Sequence, residues 1–170
     1  MQTKLLIDAD FFFYRAASAS EMEQEYSPDL TVIVGDFRRG KQIVEQELTK
    51  LRSRFDSDDI ILFFTDSKNF RKGIDPSYKG NRVKRKPCGY LKLKTWGMET
   101  YPSLIMPTLE ADDALGIVAT SGEYDNFVLI SPDKDMQQIP CRLYNLKEAV
   151  SYTHLRAHET EADLVCRLLL

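Results

Sequence analysis

The chain is poor in cysteine, in long apolar runs and in net charge. Its three cysteines, Cys88, Cys141 and Cys166, are widely spaced and odd in number. They suggest neither a disulfide framework nor a zinc knuckle, so a reducing cytoplasm is the default setting. The apolar runs are far too short to span a bilayer. Met1-Gln2-Thr3-Lys4 runs straight into a strand-like segment, so no signal peptide is read. A formal net charge of −3 offers no general attraction for nucleic acid. What is present is an ordinary mix, 43% hydrophobic and 29% charged over 170 residues, which suits one domain with a sizeable core.

One stretch stands out. Leu109-Glu110-Ala111-Asp112-Asp113-Ala114 puts three carboxylates into four residues. The apolar positions Leu109, Ala114, Leu115, Ile117 and Val118 follow helical spacing, with Gly122 as a stop. A helix N-terminus welcomes one or two acids through its dipole. Three repel one another, and a divalent cation relieves that best. A solvated, acid-rich helix start is the bland alternative.

Lys4 to Ile7 reads as a buried strand ending at Asp8. Asp8-Ala9-Asp10 then opens a helix whose aromatics, Phe11 to Tyr14, read as core. Residues 21–30 are polar and acidic and read as a loop. Residues 36–55 read as an amphipathic helix, with Asp36 as N-cap and Phe37, Ile43, Val44, Leu48, Leu51 and Phe55 as its stripe. Its basic residues read as a solvated face. Residues 59–65 form a second buried strand, ending at Asp66, and 126–131 a third, followed by Asp133 and Asp135. A short strand is placed around 104–106.

Each of the three buried strands thus delivers acids at its C-terminal end. Strands alternating with helices predict an α/β fold with a mostly parallel sheet and helices on both faces. Ligands in such sheets bind beyond the carboxyl ends of the strands. Asp8, Asp10, Asp66, Glu110, Asp112, Asp113, Asp133 and Asp135 should therefore converge on one edge. All are oxygen ligands, which favours Mg²⁺ or Mn²⁺ over zinc.

The second constellation is basic. Residues 71–94 hold nine Lys/Arg against one acid, Asp75, with Tyr78 and Tyr90 among them. A local charge of +8 in an acidic chain suggests a phosphate backbone as partner. Acids beside such a segment suggest metal-dependent phosphodiester hydrolysis.

At this point the residues resemble a family. Leu6-Ile7-Asp8-Ala9-Asp10-Phe11, Phe64-Thr65-Asp66-Ser67, Asp75-Pro76-Ser77-Tyr78-Lys79-Gly80-Asn81-Arg82, Lys86-Pro87-Cys88-Gly89-Tyr90, Glu110-Ala111-Asp112-Asp113 and Ser131-Pro132-Asp133-Lys134-Asp135 occur in order. They resemble the 5′→3′ exonucleases of short-tailed phages, within the flap-endonuclease (PIN-like) superfamily, over residues 3–148. The resemblance implies Asp8, Asp66, Glu110 and Asp112 as ligands of a first metal ion and Asp113, Asp133 and Asp135 as serving a second. Asp10 lies at the same edge. It implies Lys79 and Arg82 as the cations that polarise the scissile phosphate, in catalysis with Asp112 and Asp113. Residues 67–94 resemble the arch that handles the 5′ end. The expected nucleic-acid contacts are Arg15, Arg71, Lys72, Tyr78, Lys79, Arg82, Lys84, Arg85 and Lys86. The implied cofactor is Mg²⁺ or Mn²⁺, two ions in the complete protein. The implied partner is DNA with duplex 5′ ends or flaps, or an RNA–DNA hybrid. A monomer in the host cytoplasm is the default.

The sequence departs from that pattern after its last strand. The family's Gly-Asp-x-x-Asp-type segment and helix–hairpin–helix are missing, and residues 150–170 resemble a translated sequencing adaptor. The expected division is therefore a catalytic domain over 1–149 and a non-native tail over 150–170. Both histidines, His154 and His158, lie in that tail, so their i, i+4 spacing with Glu159 and Cys166 is not taken as a zinc site. Three alternatives stay open. One is a PIN-type ribonuclease acting on single-stranded RNA. Another is a haloacid-dehalogenase-like phosphatase using Asp8 and Asp10, which leaves the basic segment unexplained. The third is an inactive nucleic-acid-binding fragment.

Overall fold

A computed structural model of the chain describes residues 3–80, 85–146 and, for the backbone alone, 150–153. Six strands form one sheet in the order β5-β4-β1-β6-β7-β8. Its centre is β1 (Lys4–Asp8), flanked in parallel by β4 (Ile60–Phe63) and β6 (Phe127–Ile130). β5 (Ser103–Leu104) and β7 (Arg142–Asn145) extend the sheet in parallel. β8 (Val150–Thr153) adds an antiparallel edge. The described part of the expected tail is this strand; 154–170 lie outside the described residues.

Strand alternation splits the core into two layers. Leu5 and Ile7 of β1 face α1 (Ala9–Ala19), α2 (Phe37–Phe55) and α4 (Tyr90–Thr100), meeting Phe12, Phe13, Val44, Leu48 and Leu93. Leu6 faces the other way, onto Leu115 and Val118 of α5 (Ala111–Thr120). Each such side chain, fully buried, contributes roughly 1.5–3 kcal/mol of transfer free energy. α4 lies close on α1 because Gly97 has no side chain; a Cβ there would collide with the Phe13 ring. Asp36 caps α2 as expected, accepting the Arg39 N–H at 3.0 Å.

Two expectations need correction. Residues 21–30 are not a loop. They belong to a hairpin of β2 (Glu21–Ser27) and β3 (Leu30–Gly35), because Met22 pairs with Val34 and Gln24 with Val32 across an antiparallel ladder. The basic stretch, to which the sequence assigned no elements, contains α3 (Phe70–Ile74) and runs into α4. The aromatics of α1 are not all core. Phe12 and Phe13 are buried, whereas Phe11 and Tyr14 line a cleft.

Candidate active site

The chain leaves β1 toward β4 on one side and returns to β6 on the other. The carboxyl ends of those strands open outward at this switch point, where doubly wound sheets bind ligands. An open cleft of about 1680 Å³ sits there. Asp8 comes from the end of β1, Asp10 from the first turn of α1, and Asp66 from just beyond β4. Glu110 and Asp112 come from the start of α5, and Asp133 follows β6. Lys72, Lys79 and Lys86 line the same cleft. Six of the eight expected acids therefore share one cleft with three of the expected cations.

The other residues go elsewhere. Asp113 is gripped by Arg71 at 2.5 and 2.7 Å. Its Oδ2 also accepts the Glu110 N–H at 3.2 Å, which closes the first turn of α5. Asp135 is exposed, and its backbone N–H donates to Asp133 Oδ1 at 3.0 Å. Arg15 pairs with Glu47 of α2 at 2.7 Å and Arg85 with Glu21 of the hairpin at 2.5 Å, so neither guanidinium faces the cleft acids. The Tyr78 ring lies under the cations of Arg71 and Lys79. Arg82 and Lys84 lie outside the described residues.

Electrostatically, the acids fall into two groups. Asp8 is buried and pushed up to about 6, mainly by desolvation, with the charges of Asp10 and Asp112 adding to it. The counterweights are the Ser131 hydroxyl, which donates to Asp8 Oδ2 at 3.1 Å, and then the Phe11 backbone N–H. Asp112 is also raised, first by burial and then by Asp113 and Glu110. Among the described residues, neither has a cation bonded to it. The second group is neutralised. Burial raises Asp113, but Arg71 outweighs it and holds the carboxyl below the usual range. Lys79 sits 2.5 Å from Glu110, whose other oxygen accepts from Asn69 at 2.5 Å. Asp66 is held low by backbone N–H groups, that of Thr108 first.

This donor set fits a hard divalent cation. It offers oxygens only, and two of the carboxylates, buried Asp8 and half-buried Asp112, carry their charge at a cost. As the side chains stand, no three Asp, Glu, His or Cys among the described residues form a group able to hold an ion. Lysine and arginine take up part of the acid charge instead.

Four residues that sequence reasoning gave no role matter here. Ser131 is fully buried and bridges Asp8 and the Asp133 N–H. Thr65 accepts the Ala111 N–H at 3.0 Å and so seats α5. Asn69 bonds Glu110, and Lys94 lines the cleft beside Asp10. The signal for Ser131 and Thr65 was position, since each is a small hydroxyl residue within two positions of the end of a buried strand.

A family model described as 5′-3′ exonuclease, N-terminal resolvase-like domain, matches residues 3–165. The exodeoxyribonuclease of Enterobacteria phage T3 is 31% identical, over 89% of this chain and 57% of its own length. The exonuclease of Escherichia phage T7 is 32% identical, over 80% of this chain and 49% of its own. The chain thus spans about half the length of the curated relatives it matches. A crystal structure of the bacteriophage T5 flap endonuclease with DNA and metal ions shares the fold, with a TM-score of 0.59 at 18% identity over 89% of this chain and 58% of that one. The T5 5′-exonuclease with divalent zinc ions bound gives 0.53 at 18% identity, over 90% and 58%.

Proposed function

This chain belongs to the family of 5′-3′ exonuclease N-terminal, resolvase-like domains, and from that premise we propose that it carries the chemistry of a divalent-metal-dependent nuclease that hydrolyses DNA from 5′ ends or flaps. The observation that carries this reading is the shared cleft. Buried acids that gain from a cation and lysines free to meet a phosphate face one another across it. T5 relatives with metal ions and DNA support the same partners here. The family match leaves the phosphatase alternative unsupported.

Asp8, Asp66, Glu110 and Asp112 are the residues that would hold a first divalent ion, Mg²⁺ or Mn²⁺. Asp113, Asp133 and Asp135 would serve a second. Bound there, such ions would activate the attacking water and neutralise charge at the leaving oxygen. The remaining work belongs to the chain. Lys79 would exchange Glu110 for the scissile phosphate, and the resemblance gives Arg82 the same task. Lys72 and Lys86 neutralise flanking phosphates. The α5 N-terminus, seated by Thr65, keeps Glu110 and Asp112 in register. Water would add to phosphorus as the P–O3′ bond breaks, with the leaving O3′ taking a proton to end as a hydroxyl and the phosphate staying on the 5′ oxygen of the product.

We place the catalytic domain at 1–149 and its action in the host cytoplasm as a monomer. No helix among the described residues is long and apolar enough to cross a membrane. Truncation after residue 153 is expected to leave DNA binding intact.

The test is cleavage of 5′-labelled duplex and flap DNA with Mg²⁺, Mn²⁺ or chelator, with an RNA–DNA hybrid and single-stranded RNA alongside. Metal-dependent release of 5′ nucleotides, lost in Asp112→Ala/Asp113→Ala, is the expected result. Cleavage that survives in the double variant overturns the assignment. The second reading is DNA binding without turnover, favoured by the half-length match to the relatives. Salt-sensitive binding with no cleavage selects it.

A further inference from the structure

We propose that Asp10, Tyr90 and Lys94 are positioning residues that bolt α4 to the acid edge, with Asp10 as their anchor rather than a metal ligand; this rests on reading that edge as a metal site. Asp8 and Asp10 lie two residues apart and are used in opposite ways. Asp8 accepts the Ser131 hydroxyl and the Phe11 backbone N–H, with no cation among the described residues paired to it. Asp10 is engaged at both oxygens. Its Oδ2 accepts the Thr65 N–H at 2.8 Å. Its Oδ1 accepts the Tyr90 hydroxyl at 2.9 Å and lies 3.5 Å from the Lys94 ammonium. A carboxylate has about four acceptor positions, and three are taken in the folded chain.

The bonds continue past Asp10. Lys94 also donates to the Thr65 carbonyl at 2.8 Å, and the Thr65 hydroxyl accepts the Ala111 N–H at 3.0 Å. One connected set of bonds therefore joins α4, the exit of β4, the start of α1 and the start of α5. Its donors are dependable. Burial and the Asp10 charge push the Tyr90 phenol far above its ordinary range, so it keeps its proton at any working pH. The Lys94 side chain is 16% exposed, which shields its pairing from solvent.

The position of α4 gives these bonds a purpose. It follows directly on the basic segment that carries Lys79 and Lys86, through Gly89. Gly97 beds its far end against Phe13. Fixing the near end through Tyr90 and Lys94 gives the basic segment a rigid root. The spacing between its lysines and the acids is then set by α4.

The test compares the full chain with Asp8→Asn, Asp10→Asn, Asp10→Ala and Tyr90→Phe. Two readouts are used, Mn²⁺ affinity by electron paramagnetic resonance of the free ion and amide exchange across residues 90–100 in chelator. Asp8→Asn is expected to weaken Mn²⁺ binding about tenfold or more, while Asp10→Asn and Tyr90→Phe stay within about twofold. Exchange in α4 is expected to speed up roughly tenfold in Tyr90→Phe and Asp10→Ala. Asp10→Asn, which keeps one carbonyl acceptor, should recover most of that protection. A loss of Mn²⁺ affinity in Asp10→Asn equal to that in Asp8→Asn makes Asp10 a ligand and overturns the proposal. Unchanged exchange in Tyr90→Phe overturns it as well. A chain that binds no Mn²⁺ defeats the metal-site reading alone, and the exchange data still decide the bolt.

Discussion

The Lys79 ammonium lies 2.5 Å from the Glu110 carboxylate, so the basic segment and the acid edge neutralise each other directly. Burial works against the charge on Lys79, and the bond to Glu110 outweighs it. A metal ion at Glu110 and a phosphate at Lys79 would each have to displace this partner. In Lys79→Met the competitor for Glu110 is gone, so Mn²⁺ affinity should hold or rise. Cleavage should drop by roughly 10²–10³, the scale of one lost donor to developing charge. Binding titrations and single-turnover rates on the same variant check both halves. A fall in metal affinity would contradict the exchange.

Asp8 makes the folded chain sensitive to pH. Its folded value is about 6 against an ordinary 3.8. Between those values the folded state keeps a proton that the unfolded state has released, so stability falls as pH rises through that window. The full loss above pH 6 is about 3 kcal/mol at most. Asp8→Asn removes it. In chelator the variant should be more stable than the parent at pH 7.5 by up to about 3 kcal/mol, with the advantage shrinking toward pH 4. Urea unfolding at pH 4.5 and 7.5 measures this, and an advantage that does not change with pH sinks it.

Ser131 is buried and serves two acids at once. Ser131→Ala leaves the Asp8 carboxylate without its hydroxyl donor and the Asp133 N–H without its acceptor. The expected loss is about 1–3 kcal/mol of stability in chelator, and Mn²⁺ affinity should fall roughly 10–100-fold. Calorimetry with and without Mn²⁺ separates the two effects. Wild-type affinity in a destabilised variant would show that the hydroxyl only packs.

Lys72 and Lys86 line the cleft and form no salt bridge among the described residues. They are therefore free to meet phosphates. Replacing both with alanine should reduce the log–log salt slope of duplex binding by about 2, since each neutralised phosphate contributes roughly 0.9. Arg15→Ala, which breaks only a pair with Glu47, should leave the slope unchanged. Fluorescence anisotropy from low to moderate salt in chelator reads both.

The legible parts of the fold were those written in a single local signal. The apolar runs of β1, β4 and β6 and the stripe of α2 show directly in the sequence. The hairpin did not, because β2 is rich in glutamate, a poor strand former. Its strand character comes from Val32, Ile33 and Val34 across the ladder. α4 was hidden because its buried face is Tyr90, Leu93 and Gly97, where a glycine stands at a contact position. At the site, six acids converged as their strand-end positions required. Asp113 and Asp135 did not line the cleft, for reasons no local pattern carries. One depends on Arg71, 42 residues away, and the other on a 3₁₀ turn (Lys134–Gln138) that points it outward. Tyr90 and Lys94 looked like members of a charged run until α4 turned them onto Asp10.

The central place of β1 also sets a timetable. The first strand to be made is the one whose second neighbour, β6, comes late, and Asp8 meets Ser131 across 123 residues of sequence. At roughly 5–20 residues per second, the ribosome keeps that strand waiting on the order of ten seconds. During this interval a nearly continuous apolar segment is unpaired on one side, a natural client for a chaperone. The acid edge closes only when β6 arrives, so Asp8 and Asp133 are not brought into one cleft before the sheet is assembled.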